Sequence, residues 1–254
     1  MINVVFLGFG NVNSHIINAF QKKTEVVVKQ IFNRNYSKKI SPVENIPFTD
    51  DVGKIIDADL YIIGIPDDAI ASFSETLPFQ NKLVVHTSGG VSLDAISNKN
   101  RGGVFYPLQT FSKQREVDFK NIPICIEAEN VTDLKLLKKL GASISKTVVE
   151  ISSEKRAKLH LSAVFVNNFT NYLYEIGSEI LEEEGLQFDL LKPLIMETAS
   201  KIETLSPKEA QTGPAKRNDL KTIQKHLHLL GDSQHRKFYE LFTEELKQNY
   251  GKKL

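Results

Sequence analysis

A single cysteine, Cys125, stands in a chain of 254 residues, so neither an intrachain disulfide nor a cysteine-based metal cluster can form. It lies in an apolar, strand-like run at residues 122–126 with nothing beside it to activate the thiol, which predicts a core residue. No apolar run approaches the ~20 residues of a membrane-spanning helix, and the N-terminus lacks the layout of a secretory signal. A cytoplasmic protein is the expectation. Net charge is missing too: 32 Lys and Arg against 31 Asp and Glu leave +1, so no global field draws the chain to nucleic acid or to an acidic membrane. There is no Ser–His–Asp order, no Cys/His zinc spacing and no pair of catalytic carboxylates, so nothing points to a hydrolase or a metal enzyme. What is present is an ordinary globular composition, 41% hydrophobic and 25% charged, long enough for one large domain or two moderate ones.

The most informative stretch opens the chain. An apolar run, Val4-Val5-Phe6-Leu7, passes straight into Gly8-Phe9-Gly10-Asn11-Val12-Asn13 and then into a helical pattern carried by Val12, Ile16, Ile17, Ala19 and Phe20. Strand, glycine turn and helix in this order make a phosphate site. The first glycine permits the turn, the second lets a pyrophosphate approach the backbone, and the helix start offers unpaired N–H groups at the positive end of its dipole. The third fingerprint position holds Asn13 rather than Gly or Ala.

About 20 residues past the glycines, an NAD site places Asp or Glu against the adenosine ribose. Here a second strand, residues 26–32, ends in Asn33 and Arg34, with Ser37, Lys38 and Lys39 behind them. A guanidinium can grip a 2′-phosphate that a carboxylate would repel, so the expected cofactor is NADP(H). The same residues also describe a solvated basic turn.

Up to about residue 151, short β-rich runs alternate with helical stretches, the grammar of a mostly parallel, doubly wound α/β sheet. Strands are expected at residues 59–65, 83–85, 104–106, 122–126 and 147–151, with a helix near residues 51–56. Another helix opens at Pro66-Asp67-Asp68. In such sheets ligands lie beyond the carboxyl ends of the strands, where Gly8, Asn33, Pro66, His86 and Tyr106 fall. From residue 152 the pattern is helical only, which sets two domains, 1–151 and 152–254, without repeats, low-complexity tracts or a flexible linker. A very long helix is expected over residues 153–184 with Gly185 at its end, another over 189–205, one capped by Asp219, and a last amphipathic one. Residues 159–169 are apolar almost all round, which predicts burial on most sides. His160, Asn167 and Asn171 interrupt them at offsets that return, at roughly 100° per residue, to one line. Such a stripe either faces a polar cleft or bonds another helix or subunit.

Several motifs together resemble one family. They are Gly8-Phe9-Gly10-Asn11-Val12 with His15, Ile65-Pro66-Asp67-Asp68-Ala69-Ile70, His86-Thr87-Ser88-Gly89, Pro107-Leu108-Gln109-Thr110-Phe111, His160 with Ala163-Val164-Phe165 and Asn167-Asn168, and Gly213-Pro214-Ala215 with Arg217 and Asp219. This set is similar to Rossmann-like bacterial proteins whose helical C-terminal part is the domain of unknown function numbered 2520, and it spans nearly the whole chain. Members are described as NADP oxidoreductases. Their architecture is similar to pyrroline-5-carboxylate reductase, deazaflavin-dependent NADP reductase and the 6-phosphogluconate dehydrogenase group. The resemblance implies a helical domain that closes over the nicotinamide and forms a homodimer interface. Two positions depart from the family pattern: Asn13, where a small residue is usual, and Asn218, where Gly is expected.

Hydride transfer asks a protein for an oriented nicotinamide, a dry pocket and a group that moves a proton. His160 is the first candidate for the proton donor, with an ordinary pKa of ~6.5 suited to exchange near neutrality. Asn167 would orient the substrate or the carboxamide. His86 competes with His160 for the proton, and otherwise simply ends a strand. Gly8, Gly10, Asn11, Val12, Asn13, Asn33, Arg34, Ser37, Ile65, Pro66, Asp67, Thr87, Ser88 and Gly89 are the expected cofactor contacts. Tyr106, Gln109, Asn171 and Arg217 are candidates for a small-molecule substrate; His226 and His228 are expected to be solvated. Two functions stay open: an NADP(H)-dependent oxidoreductase acting on a small ketone or imine, and a non-catalytic NADP(H)-binding regulatory or interaction protein.

Overall fold

The computed structural model describes residues 1–34, 43 and 45–251. Ser37, with Lys38 and Lys39, lies outside the described residues. Eight strands, β1 (Ile2–Leu7), β2 (Val26–Phe32), β3 (Phe48–Thr49), β4 (Leu60–Ile63), β5 (Leu83–His86), β6 (Arg101–Pro107), β7 (Ile124–Ala128) and β8 (Val148–Glu150), form one sheet in the order β3-β2-β1-β4-β5-β6-β7-β8. Every neighbouring pair is parallel except β6 with β7. The order reverses between β1 and β4, the switch point at which an α/β sheet opens a crevice. Both faces are covered, as the continuous apolar runs require. Val4 and Phe6 join one core with Ile16, Phe20 and Phe105, while Val5 and Leu7 join another with Tyr61, Ile63 and Ile70. Successive residues point to opposite faces, so one short strand feeds both cores.

The helices are α1 (Asn11–Gln21), α2 (Ile70–Glu75), α3 (Val131–Ile144), α4 (Ser153–Ala163), α5 (Thr170–Glu183), α6 (Lys192–Lys201), α7 (Pro207–Ala210), α8 (Leu220–Leu230) and α9 (Arg236–Tyr250). Ser152 caps α4 by accepting from the Lys155 amide, and Asp219 caps α8 by accepting from the Thr222 amide. By compactness the chain divides into residues 1–168 and 169–254.

The local expectations need several corrections. The stretch near residues 51–56 forms only a 3₁₀ turn (Val52–Lys54), because Asp51 bonds back to the Gly53 amide and closes a tight turn. Phe48–Thr49 adds a short edge strand after Pro47 that its two residues are too few to announce. The long helix over residues 153–184 is interrupted by a π-helix at Val164–Phe169, and the helix expected at 189 begins as a 3₁₀ turn (Phe188–Leu191) and ends at Lys201. Nor are residues 159–169 buried on most sides: Leu161, Phe165 and Phe169 are exposed, and Val166 is 75% exposed.

Both departures from the family pattern have a physical account. Asn218 adopts φ +55°, the left-handed region that Asn tolerates better than most residues with a Cβ, so it replaces Gly without losing the turn. Asn13 is completely buried and donates to the carbonyls of Gly8 (2.8 Å) and Ile62 (3.4 Å). It fits because its neighbour just past β4 is Gly64, whose missing side chain leaves the room.

Candidate functional site

The loops that leave β1, β2, β4, β5 and β6 gather on one edge of the sheet, stitched by backbone bonds that run on past the strands. The Gly8 amide donates to the Phe32 carbonyl (2.8 Å), Gly64 to Leu7 (2.8 Å) and Thr87 to Ile63 (3.1 Å). Gly8 sits at φ +96°, and a Cβ there would meet the Gly64 carbonyl oxygen at 2.6 Å, so glycine is required by fold and contact together. Gly10 differs: a Cβ would meet only the Gly64 oxygen, at 3.7 Å, so its bareness keeps the approach to α1 open. No side chain caps the start of α1, which leaves its first amides free to take an anion. Asn11 and Val12 lie in that first turn, where Asn11 Nδ2 donates to the Phe111 carbonyl (3.1 Å) and pins the loop after β6. Asn13 supports the turn from below, its side chain buried away from the groove.

At the end of β2, the Asn33 amide is bonded to the Thr49 carbonyl (2.9 Å), while Arg34 is exposed. After β4, Ile65 is half-buried, and Pro66 and Asp67 are exposed. Ser88 Oγ donates to Asp67 Oδ2 (2.8 Å) and accepts from the amides of Gly90 and Val91 (3.1 Å each). That hydroxyl holds the loop Thr87–Ser88–Gly89 in a fixed shape.

His86 is not positioned to move a proton. It is fully buried; Nε2 lies 3.3 Å from the Ser92 carbonyl, and Nδ1 accepts from the Ser88 amide at 3.2 Å. Burial, followed by the neighbouring Arg156 charge, pushes its pKa down to about 4. Both ring nitrogens are engaged in shaping the loop after β5.

His160 is placed differently. From α4 its imidazole lies over Gly89, where any Cβ would collide with the ring, and Nδ1 is 3.0 Å from the Tyr106 hydroxyl. The two rings meet edge to face with centroids 5.9 Å apart. Tyr106, near the end of β6, is buried, and burial pushes its hydroxyl up to about 12. Tyr106, Gln109, His160 and Asn167 share a cleft of about 340 Å³ with Leu108 and Val164. Asn167 is brought to this cleft but is exposed, and its Nδ2 is 3.4 Å from Asn168 Oδ1. The single helical line through His160, Asn167 and Asn171 does not survive, because i→i+5 bonding across residues 164–169 changes the angular advance per residue. Asn171 and Arg217 are exposed and belong to the second compact unit. His228 is solvated as expected, whereas His226 is half-buried, with Nδ1 2.8 Å from the Tyr239 hydroxyl.

Arg156 was invisible as a functional candidate in the sequence. It is fully buried, and its guanidinium donates to Glu127 on β7, to the Val91 carbonyl and to Ser153 Oγ (3.1 Å). Glu127 also accepts from the amide (2.8 Å) and hydroxyl (2.7 Å) of Ser153. This clamp ties the first turns of α4 to the sheet and to the loop after Gly89, one turn before His160. The only hint was an arginine four residues before the histidine on one helix. Among the described residues, no group of three or more His, Cys, Asp or Glu side chains is placed to hold a metal ion. No helix of the described residues is long and apolar enough to cross a membrane.

Residues 122–246 match the family described as a domain of unknown function, DUF2520. No functionally curated protein matches the chain. Among solved structures it is similar to a Bacteroides fragilis protein provisionally named an NADP oxidoreductase, at 37% identity and TM-score 0.88, with 97% of this chain and 98% of that one covered. It shares its fold with 1-pyrroline-5-carboxylate reductase from Streptococcus pyogenes (16% identity, 97% and 98% covered, TM-score 0.64). It shares it also with an imine reductase from Myxococcus stipitatus in complex with NADP⁺ (15% identity, 98% and 96% covered, TM-score 0.66). With more than a third of its residues shared along nearly the full length of the Bacteroides protein, and with this C-terminal domain matched, the chain belongs to the family of Rossmann-type proteins that carry the domain of unknown function 2520.

Proposed function

We propose that the protein is an NADP(H)-dependent oxidoreductase that reduces a small ketone or imine, with His160 handling the proton. The observation that carries this reading is the Tyr106–His160 pair resting on Gly89, on the sheet edge that also bears the glycine turn. The residues present fit the cofactor: a required left-handed Gly8, an open approach at Gly10 and an uncapped α1 suit a pyrophosphate. Bound NADPH supplies a hydride to the substrate carbon. The first amides of α1, at Asn11 and Val12, hold the diphosphate, while Asn33 and Arg34 take the adenosine ribose and its 2′-phosphate. Ile65, Pro66, Asp67, Thr87, Ser88 and Gly89 line the remaining groove. In the cleft beside it, Tyr106 and Gln109 wall the substrate and Asn167 orients it. The relatives named as an NADP oxidoreductase and as an imine reductase holding NADP⁺ support cofactor and substrate class alike.

Calorimetric titration of NADPH and NADH tests the reading. NADPH is expected to bind more tightly, and Arg34→Ala to lose about tenfold in NADPH affinity with little change for NADH. No heat from either nucleotide at millimolar concentration overturns it, and equal affinities for the two overturn the role of Arg34.

The second unit supports a homodimer. Among its described residues only Ile176, Ala215 and Ile223 are buried apolar side chains, whereas Leu190, Leu194, Met196, Ile202 and Leu241 are exposed and Leu229 is 82% exposed. So much uncovered apolar surface on a helical unit with so small a core calls for a covering subunit. Sedimentation is expected to give about twice the 28.6 kDa of one chain. A monomer at micromolar concentration overturns the assembly.

A further inference from the structure

We propose that Tyr106 is a positioning residue for the reaction read above: its hydroxyl holds His160 as the Nε2–H tautomer, which makes Nε2 the nitrogen that delivers the proton. This rests on that reading, although its geometry stands apart from any cofactor. The hydroxyl lies 3.0 Å from Nδ1, the rings meet edge to face, and the imidazole is backed by the bare Gly89. A ring trapped between a glycine backbone and a tyrosine edge has little freedom to turn over. Burial raises the phenol to about 12, so the hydroxyl keeps its hydrogen near neutrality. A phenol can donate or accept, but among the described residues the buried hydroxyl bonds to Nδ1, and donating there leaves no buried O–H without a partner. Nδ1 is thereby an acceptor, and the neutral ring carries its hydrogen on Nε2.

The pairing also balances the proton. As Nε2–H breaks and the new O–H or N–H bond of the product forms, the Tyr106 O–H proton passes to Nδ1. The imidazole stays neutral; afterwards Nε2 takes a proton from water and the Nδ1 proton returns to the phenolate oxygen, which restores the starting tautomer. Arg156 fixes the geometry from one helical turn away by bonding the Val91 carbonyl and Glu127.

The test is ¹⁵N and ¹H NMR of histidine-labelled full-length protein without cofactor, at about pH 8.5, above the ordinary histidine range. The His160 resonances are assigned by their loss in His160→Gln. Expected are an unprotonated, hydrogen-bonded Nδ1, a protonated Nε2, and a slowly exchanging Tyr106 hydroxyl proton close to the imidazole. In Tyr106→Phe, checked for an unchanged circular dichroism spectrum, Nδ1 should move to the position of an unbonded acceptor or the ring should mix tautomers. A protonated Nδ1 in the wild-type protein overturns the proposal without any variant, and so does a His160 spectrum identical in a folded Tyr106→Phe. Because no nucleotide is present, failure of NADPH to bind removes the proposed function and leaves the tautomer assignment standing; a wrong tautomer does the reverse.

Discussion

The Asn13 carboxamide fills the place where a side chain at Gly64 would stand: a Cβ built on Gly64 overlaps Asn13 Cγ and both of its terminal atoms. The two positions, on α1 and just past β4, therefore read as one compensated pair, and the pair holds the carbonyl of Gly8 at the glycine turn. Gly64→Ala is expected to destabilise the protein by about 1–3 kcal/mol, the usual range for overpacking a tight core. In an Asn13→Gly background the same change should be much less harmful. Chemical denaturation of the four proteins of the cycle measures the coupling, and strict additivity would show that the pair is not coupled.

Arg156 is a fully buried charge whose worth lies in Glu127 and in the loop it holds. Arg156→Ala leaves Glu127 without its cation and is expected to lower stability by about 3–5 kcal/mol. Arg156→Lys should recover only part of this, since one ammonium cannot reach Glu127, Ser153 and the Val91 carbonyl in the planar fork that a guanidinium provides. Urea denaturation of both variants checks the order.

His86 predicts a pH dependence. Its folded pKa is depressed to about 4, chiefly by burial, from an ordinary value near 6.5 in the unfolded chain. The neutral form is the one the fold accommodates. Its contribution is complete above about pH 6.5 and is lost as the pH falls from there toward 4, because the unfolded state binds the proton first. The slope over that window amounts to roughly 3 kcal/mol at most. His86→Gln should flatten it, as read from denaturation midpoints at a series of pH values. A slope unchanged in the variant would locate the acid sensitivity elsewhere.

His160→Ala separates the two functional classes left open by composition and motif. An enzyme should keep its NADPH affinity within about twofold and lose turnover by roughly 10²–10⁴-fold, the usual share of a general acid. A protein that only binds the nucleotide should show no catalytic defect. Calorimetry and NADPH oxidation measured on the same preparation distinguish them.

Legibility in the sequence tracked the range of the interactions involved. The Gly-x-Gly turn, the strands that end beside it and the cap at Asp219 depend on neighbours a few residues away, and the structure has each of them. His160 and Tyr106 were both visible as polar groups in apolar surroundings, but their bond spans 54 residues and no periodicity encodes it. The π-turn at Val164–Phe169 escaped because its side chains satisfy an α pattern equally well. Apolar residues 159–169 read as a core stretch, since pattern records hydrophobicity and not which surface covers it.

The chain by itself determined a parallel sheet with helices on both faces, a phosphate-ready turn at its first switch point and a helical remainder, because strand periodicity and glycine geometry are written locally. Only the tertiary structure decided how the two candidate histidines are held. His86 and His160 are the same chemical group at the edge of one fold. Burial and two hydrogen bonds engage the first, while a glycine floor and a tyrosine hydroxyl present the second, and those surroundings come from residues far apart along the chain.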